Sequence, residues 1–206
     1  MGDVMSLDSY RENAARRSQR VRRAAPRPTF YFDLASPYTY LAAERAERMF
    51  ARLEWLPASS DALQRPTFVG DEERAAVAKR AAVLGLPLIW PADPARRAIG
   101  AMRVASLAAE RGLGAAFVLA ASRLEFCGGY SIDDPEILAE AAAAAGIGLR
   151  EMLSAAGDIS RDGPIEEAGR QLLAAGADRL PALRVGRLLF CGEERLSEAV
   201  AARASA

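Results

Sequence analysis

Thr29-Phe30-Tyr31-Phe32-Asp33-Leu34-Ala35-Ser36-Pro37-Tyr38-Thr39-Tyr40-Leu41 is the stretch that decides the fold. Its first six residues follow Pro28 and are rich in aromatic, β-prone types, which predicts a strand over 29–34. Ser36-Pro37 then opens a helix, because serine is a favoured N-cap and proline a favoured first helical residue. Tyr38, Leu41, Ala42, Met49 and Phe50 supply an apolar face through that helix. Leu53-Glu54-Trp55-Leu56 reads as a second strand, stopped by Pro57. Strand, helix and strand this close together make a βαβ unit, which is parallel and right-handed.

Downstream the pattern turns helical. The spacing predicts helices over 71–84, 94–111, 115–126, 135–145, 149–156 and 164–175, each closed by a glycine at or just past its end. Asp134-Pro135 gives the fourth of them a capped start. After Pro181 the strands return: 182–185 and 187–190 flank Gly186 as a hairpin, and a last helix runs from Glu193 to 202. The order βαβ, helical block, ββα is an α/β, thioredoxin-like layout with an all-helical domain inserted between its halves. The expected division is an arginine-rich arm over 1–27, a thioredoxin-like part over 28–70 and 177–206, and a helical insertion over 71–176.

Composition excludes several chemistries. Hydrophobic residues make up 51% and charged residues 26%, so the body folds as an ordinary globular chain. No apolar run is long enough for a membrane span. Histidine is absent, which removes Ser-His and Cys-His catalysis and most zinc sites. Cys127 and Cys191 form no CxxC pair, so a thioredoxin-type dithiol is excluded and no metal is expected. The arm holds seven arginines against three acids in a chain of zero net charge. The body is therefore mildly acidic and a poor nucleic-acid binder. The arm has no apolar stretch after its arginine pairs, which argues against export and for the cytoplasm.

Three places carry candidate chemistry. Ser36 sits at a strand-to-helix turn, where unpaired N–H groups and the helix dipole favour an anion. A hydroxyl there donates to a thiolate and lowers the pKa of a bound thiol; alternatively Ser36 only caps its helix. Leu180-Pro181 stands at a strand start, where a cis bond can present the preceding backbone to a peptide-like ligand; an ordinary trans proline is the other possibility. Glu193 and Glu194 open the last helix, either as ligands for an ammonium group or as plain first-turn acids. Tyr38 and Trp90 are weaker candidates for lining a substrate pocket. Both cysteines are expected in the core.

Taken together these segments resemble the kappa-class glutathione transferases and 2-hydroxychromene-2-carboxylate isomerases, a branch of the DsbA-like thioredoxin superfamily. The resemblance spans about residues 28–200. Phe30 to Leu41 is similar to the family's opening strand and serine turn, Leu180-Pro181 occupies the place of its cis-proline, and Phe190-Cys191-Gly192-Glu193-Glu194-Arg195-Leu196 is similar to its closing turn. The resemblance implies a glutathione-dependent isomerase or transferase acting on a small aromatic or electrophilic substrate, in a homodimer. Ser36 would hydrogen-bond the glutathione thiolate, Leu180 beside Pro181 would pair with its cysteinyl backbone, and Glu193 and Glu194 would take its γ-glutamyl end. The chain departs from the family in four places: Asn13 is its only asparagine, the segment from Pro57 to Asp71 is shorter than usual, Ala182 follows the proline where threonine is usual, and two acids replace a neutral-plus-acid pair. These departures keep open a non-catalytic or other-thiol-binding protein. The DsbA-like layout leaves a disulfide oxidoreductase as a minor alternative, lacking a cysteine at the Ser36 turn.

Overall fold

The computed structural model describes residues 27–63, 70–92 and 97–204. Four strands, β1 (Thr29–Phe32), β2 (Glu54–Pro57), β3 (Ala182–Val185) and β4 (Leu188–Cys191), form one sheet in the order β2-β1-β3-β4. β1 pairs with β2 in parallel and with β3 antiparallel, and β3 with β4 antiparallel. Between β1 and β2 lies α1 (Pro37–Met49). Between β2 and β3 lie α2 (Asp71–Leu84), α3 (Ile99–Glu110), α4 (Gly114–Phe126), α5 (Pro135–Ala144), α6 (Leu149–Gly157) and α7 (Asp162–Ala174); α8 (Leu196–Ala204) follows β4. This is the thioredoxin-like α/β fold that the pattern predicts.

The alternation of strand residues decides the layering. Phe30, Phe32, Trp55, Leu183 and Phe190 point to one face, where a buried cluster continues through Val104, Phe117 and Ala121 to Ile147 and Met152. Phe30 lies 4.7 Å from Trp55, ring to ring, at a tilt of 59°. Tyr31, Ala182, Leu189 and Cys191 point to the other face, against Ala168 and Leu172 of α7. The helical block thus shares a continuous core with the sheet, and its last helix covers the sheet's second face.

Several element boundaries differ from expectation by one to five residues; the last helix, for one, begins at Leu196 after a 3-10 turn over Glu193–Arg195, and three others have a plain local setting. β1 ends at Phe32 rather than residue 34, because Asp33 turns the chain: its carboxylate accepts the Ala35 N–H at 3.0 Å. β2 ends on Pro57 rather than before it, and the Ala58 N–H still bonds the Phe32 carbonyl; β2 is an edge strand, where a proline without an N–H is tolerated. α3 starts at Ile99, not 94; residue 97 and Ala98 precede it as non-helical backbone, and 93–96 fall outside the described residues. All of the arm except Arg27 also lies outside them. No helix among the described residues is long and apolar enough to cross a membrane.

Candidate active site at the Ser36 turn

Strand register brings the sequence candidates together. Tyr31 pairs with Ala182 in the antiparallel β1–β3 ladder, so Pro181 stands beside Phe32 and Leu180 beside the Asp33 turn. The Leu180–Pro181 bond is cis. Ala182 in turn pairs with Cys191, and the Gly192 N–H donates to the Pro181 carbonyl at 2.8 Å. The Ser36 turn, the cis-proline loop and the closing turn therefore converge at one end of the sheet.

Ser36 occupies the N-cap of α1 with extended backbone (φ −90°, ψ 120°), yet its side chain makes no capping hydrogen bond. Its backbone N–H is held by the Asp33 carbonyl at 3.1 Å, and its own carbonyl accepts the Thr39 N–H at 3.0 Å. Thr39 completes the brace, its hydroxyl donating to the Asp33 carbonyl at 2.7 Å. The Ser36 backbone is thus held in place, while its hydroxyl is not committed to its own helix. Pro37 has no N–H, so Tyr38 offers the first amide at the helix end that lacks an intrahelical acceptor. A hydroxyl, an amide and the positive end of the α1 dipole together suit a thiolate.

Asp33, 5% exposed, ties this turn to the segment after β2. Its second oxygen accepts the Ser60 N–H at 3.0 Å. Burial pushes its carboxyl above the ordinary range, against the pull of the Ser60 and Ala35 hydrogen bonds.

The closing turn differs from a simple acidic helix start. Glu193 is 3% exposed, and its carboxylate is held by two guanidiniums, Arg45 of α1 at 2.7 Å and Arg80 of α2. Arg45 also donates to the Glu193 carbonyl at 3.3 Å. Glu193 is therefore already paired, and its geometry is that of a strut joining α1, α2 and the turn rather than of an open ammonium site. Two arginines on one acid leave a positive balance there. Glu194 is exposed and faces Arg179 at 3.4 Å. Gly192 takes φ 95°, and its bare Cα lies against the Glu194 carboxylate, where a Cβ would collide. The negative charge that the sequence places on this turn is thus offset by arginines from distant elements.

Tyr38 sits on the rim of the same region. Burial pushes its phenol up, and so does the Glu73 carboxylate that its hydroxyl hydrogen-bonds; Glu194 adds to the effect. Trp90 packs edge-on against Phe126 at 6.1 Å and lies under the Arg74 guanidinium at 5.0 Å, in the same apolar cluster as Tyr38 and Leu41. It lines that cluster beside α2.

Both cysteines are free and half-buried rather than fully enclosed in the core. Cys127 lies 3.0 Å from the Tyr40 hydroxyl, just past α4. Cys191 lies on the α7 side of the sheet, where burial pushes its thiol up against the pull of the Asp178 N–H. Neither stands at the Ser36 turn. Among the described residues no group of three or more His, Cys, Asp or Glu side chains could hold a metal.

Sequence reasoning missed Asp33, Arg45 and Arg80. For Asp33 a local signal exists: an aspartate that bonds the N–H two residues on is a common turn device. For the arginines none exists, because they lie 148 and 113 residues from Glu193 along the chain.

Known proteins share the fold. No curated protein sequence matches the chain. Among solved structures, a 2-hydroxychromene-2-carboxylate isomerase superposes with a TM-score of 0.72 at 18% identity, over 86% of this chain and 94% of the other. A probable DsbA oxidoreductase from Streptomyces coelicolor gives 0.68 at 20% identity, over 87% and 88%. The cytosolic disulfide reductase DsbM from Pseudomonas aeruginosa, solved with GSH, gives 0.61 at 19% identity, over 86% and 96%. At these identities the likeness is one of fold. The profile of the DSBA-like thioredoxin domain matches residues 29–199, nearly the whole described chain, and the protein belongs to that family.

Proposed function

We propose that the protein is a thiol-dependent isomerase or transferase that uses glutathione against a small aromatic or electrophilic substrate, in the manner of the 2-hydroxychromene-2-carboxylate isomerases. The observation that carries this reading is the Ser36 hydroxyl, set at the N-terminus of α1 beside cis-Leu180–Pro181 and not committed to capping. Bound there, glutathione would supply a nucleophilic thiolate. Ser36 donates its hydroxyl to the sulfur and the Tyr38 N–H adds a second donor, both favouring the ionised form. Leu180 offers its backbone as an added strand would. Glu194 remains the acid for an ammonium group, while Glu193 keeps Arg45 and Arg80 in place. Their positive balance suits a ligand that carries carboxylates. Tyr38 and, further out, Trp90 give the substrate side an aromatic rim. The same reading makes the protein a cytoplasmic homodimer, with its helical block at 71–176 as an insertion domain.

A calorimetric titration of glutathione, with Ser36→Ala alongside, tests it. Saturable binding that weakens in the variant is expected, with turnover of chromene-type or electrophilic aromatic substrates lost in parallel. Absence of binding at millimolar glutathione overturns the glutathione assignment. The second reading, a binder of another thiol without turnover, is favoured by Ala182 after the cis-proline and by the lack of any asparagine after β2. It predicts ligand binding without product across the same substrates.

A further inference from the structure

A cavity of about 220 Å³ opens between the Asp33 turn, the segment after β2, the start of α3 and the start of α7. Ile99, Met102 and Ile165 supply its apolar wall, and Asp33, Asp61, Asp162 and Glu166 its acids. Three of those acids already have cations. Asp61 faces Arg97 at 3.2 Å, Asp162 takes both arms of Arg103 at 2.7 and 2.6 Å, and Glu166 faces Arg170 at 3.5 Å. Asp33 is different: it is the buried one, and among the described residues only the amides of Ala35 and Ser60 and the Ser60 side chain bond it, with no guanidinium or ammonium against it.

We propose that this cavity binds a fragment-sized ligand with an apolar body and an ammonium or amidinium head, and that the head pairs with Asp33. The inference does not rest on the thiol reading of Ser36. The two Asp33 oxygens accept the Ala35 and Ser60 amides and the Ser60 hydroxyl, which leaves the carboxylate one lone pair for a further donor. A buried carboxylate without a positive partner is the group that gains most from one. Its elevated pKa has the same origin, burial without a cation. The volume lies below the roughly 300–1,000 Å³ of pockets for larger ligands, which limits the body to about one ring. Ile99, Met102 and Ile165 are the surface on which such a ring would lie. An anionic head would find three of the four carboxylates already paired with Arg97, Arg103 and Arg170 and would face the uncompensated one, Asp33.

The test uses three probes of one frame on the full-length protein: phenethylammonium, neutral phenethyl alcohol and anionic 3-phenylpropionate, titrated by calorimetry. Saturable binding of the cation is expected, with the other two weaker by about tenfold or more. Asp33→Asn should abolish the preference for the cation. Ile99 is 46% exposed at the cavity, so Ile99→Trp should fill it, leave Asp33 untouched and remove binding while the thermal transition stays cooperative. Ser36→Ala should bind the cation as wild type does, which separates this site from the thiol site. No cation binding at millimolar concentration, equal binding of cation and anion, or unchanged binding in Ile99→Trp overturns the proposal. If Asp33→Asn does not fold, the charge series and Ile99→Trp decide the matter alone.

Discussion

Removing both arginines from Glu193 should destabilise the protein more than almost any other surface-reachable change. Glu193 is 3% exposed, while Arg45 and Arg80 are 20% and 33% exposed. At an effective dielectric near 20, a pair at contact distance is worth about 4 kcal/mol before desolvation. The arginines are partly hydrated, so each single Arg→Met change should cost only about 1–2 kcal/mol, with the other guanidinium still holding the acid. Methionine keeps the packing of the aliphatic stem, which isolates the charge effect. Arg45→Met with Arg80→Met leaves a buried carboxylate with no cation, a loss of about 3–5 kcal/mol. For a chain of this size that corresponds to a fall in Tm of roughly 10 °C. Urea denaturation of wild type, both singles and the double would measure it, with the wild-type m-value as the check on two-state behaviour. A double variant within about 0.5 kcal/mol of wild type would refute the reasoning, because it would mean that Glu193 is neither buried nor charged as described.

Further outcomes are expected. Ser36→Ala should weaken glutathione binding yet cost well under the roughly 1 kcal/mol of a lost cap, since no capping bond exists to lose; a thermal shift assay checks the second half. Asp33 has a folded-state pKa above its unfolded value near 3.8, so the folded state holds the proton more tightly and stability should fall as pH rises through that window. Asp33→Asn should flatten this slope, as urea midpoints at stepped pH would reveal. Gly169→Ala would place a Cβ 2.6 Å from the Ser59 carbonyl oxygen and 2.7 Å from the Ala62 side chain, forcing α7 away from the segment after β2. A loss of about 1–3 kcal/mol is expected from denaturation curves.

Much of this fold is legible because its signals are local. The aromatic run before Ser36-Pro37, the proline-led starts and the glycines past α2 and α5 each act within a few residues, and α2 begins and ends where they say. Pro57 misleads for a physical reason: whether a proline breaks a strand depends on whether its N–H is needed, which depends on what lies on the strand's far side. The first part of the site is equally local, since Ser36 is placed by its own turn. The closing turn is not. Its two glutamates look alike in sequence, but arginines from α1 and α2 pair with Glu193 while Glu194 stays exposed. The acidity of that turn is a tertiary property, and the sequence alone overstates it.

Pro57 has a consequence for assembly. The Glu54 and Ala58 N–H groups turn inward to β1, bonding Pro28 and Phe32 at 2.9 Å each, so Trp55 and Pro57 face the open side of the sheet. Pro57 has no hydrogen to offer there. Trp55 is covered by Gly114 at the start of α4, whose missing side chain allows the backbone to approach; a Cβ would lie 2.7 Å from that of Trp55. This margin therefore presents no usable ladder to an incoming strand. The sheet is protected on this side from the edge-to-edge growth that seeds aggregates.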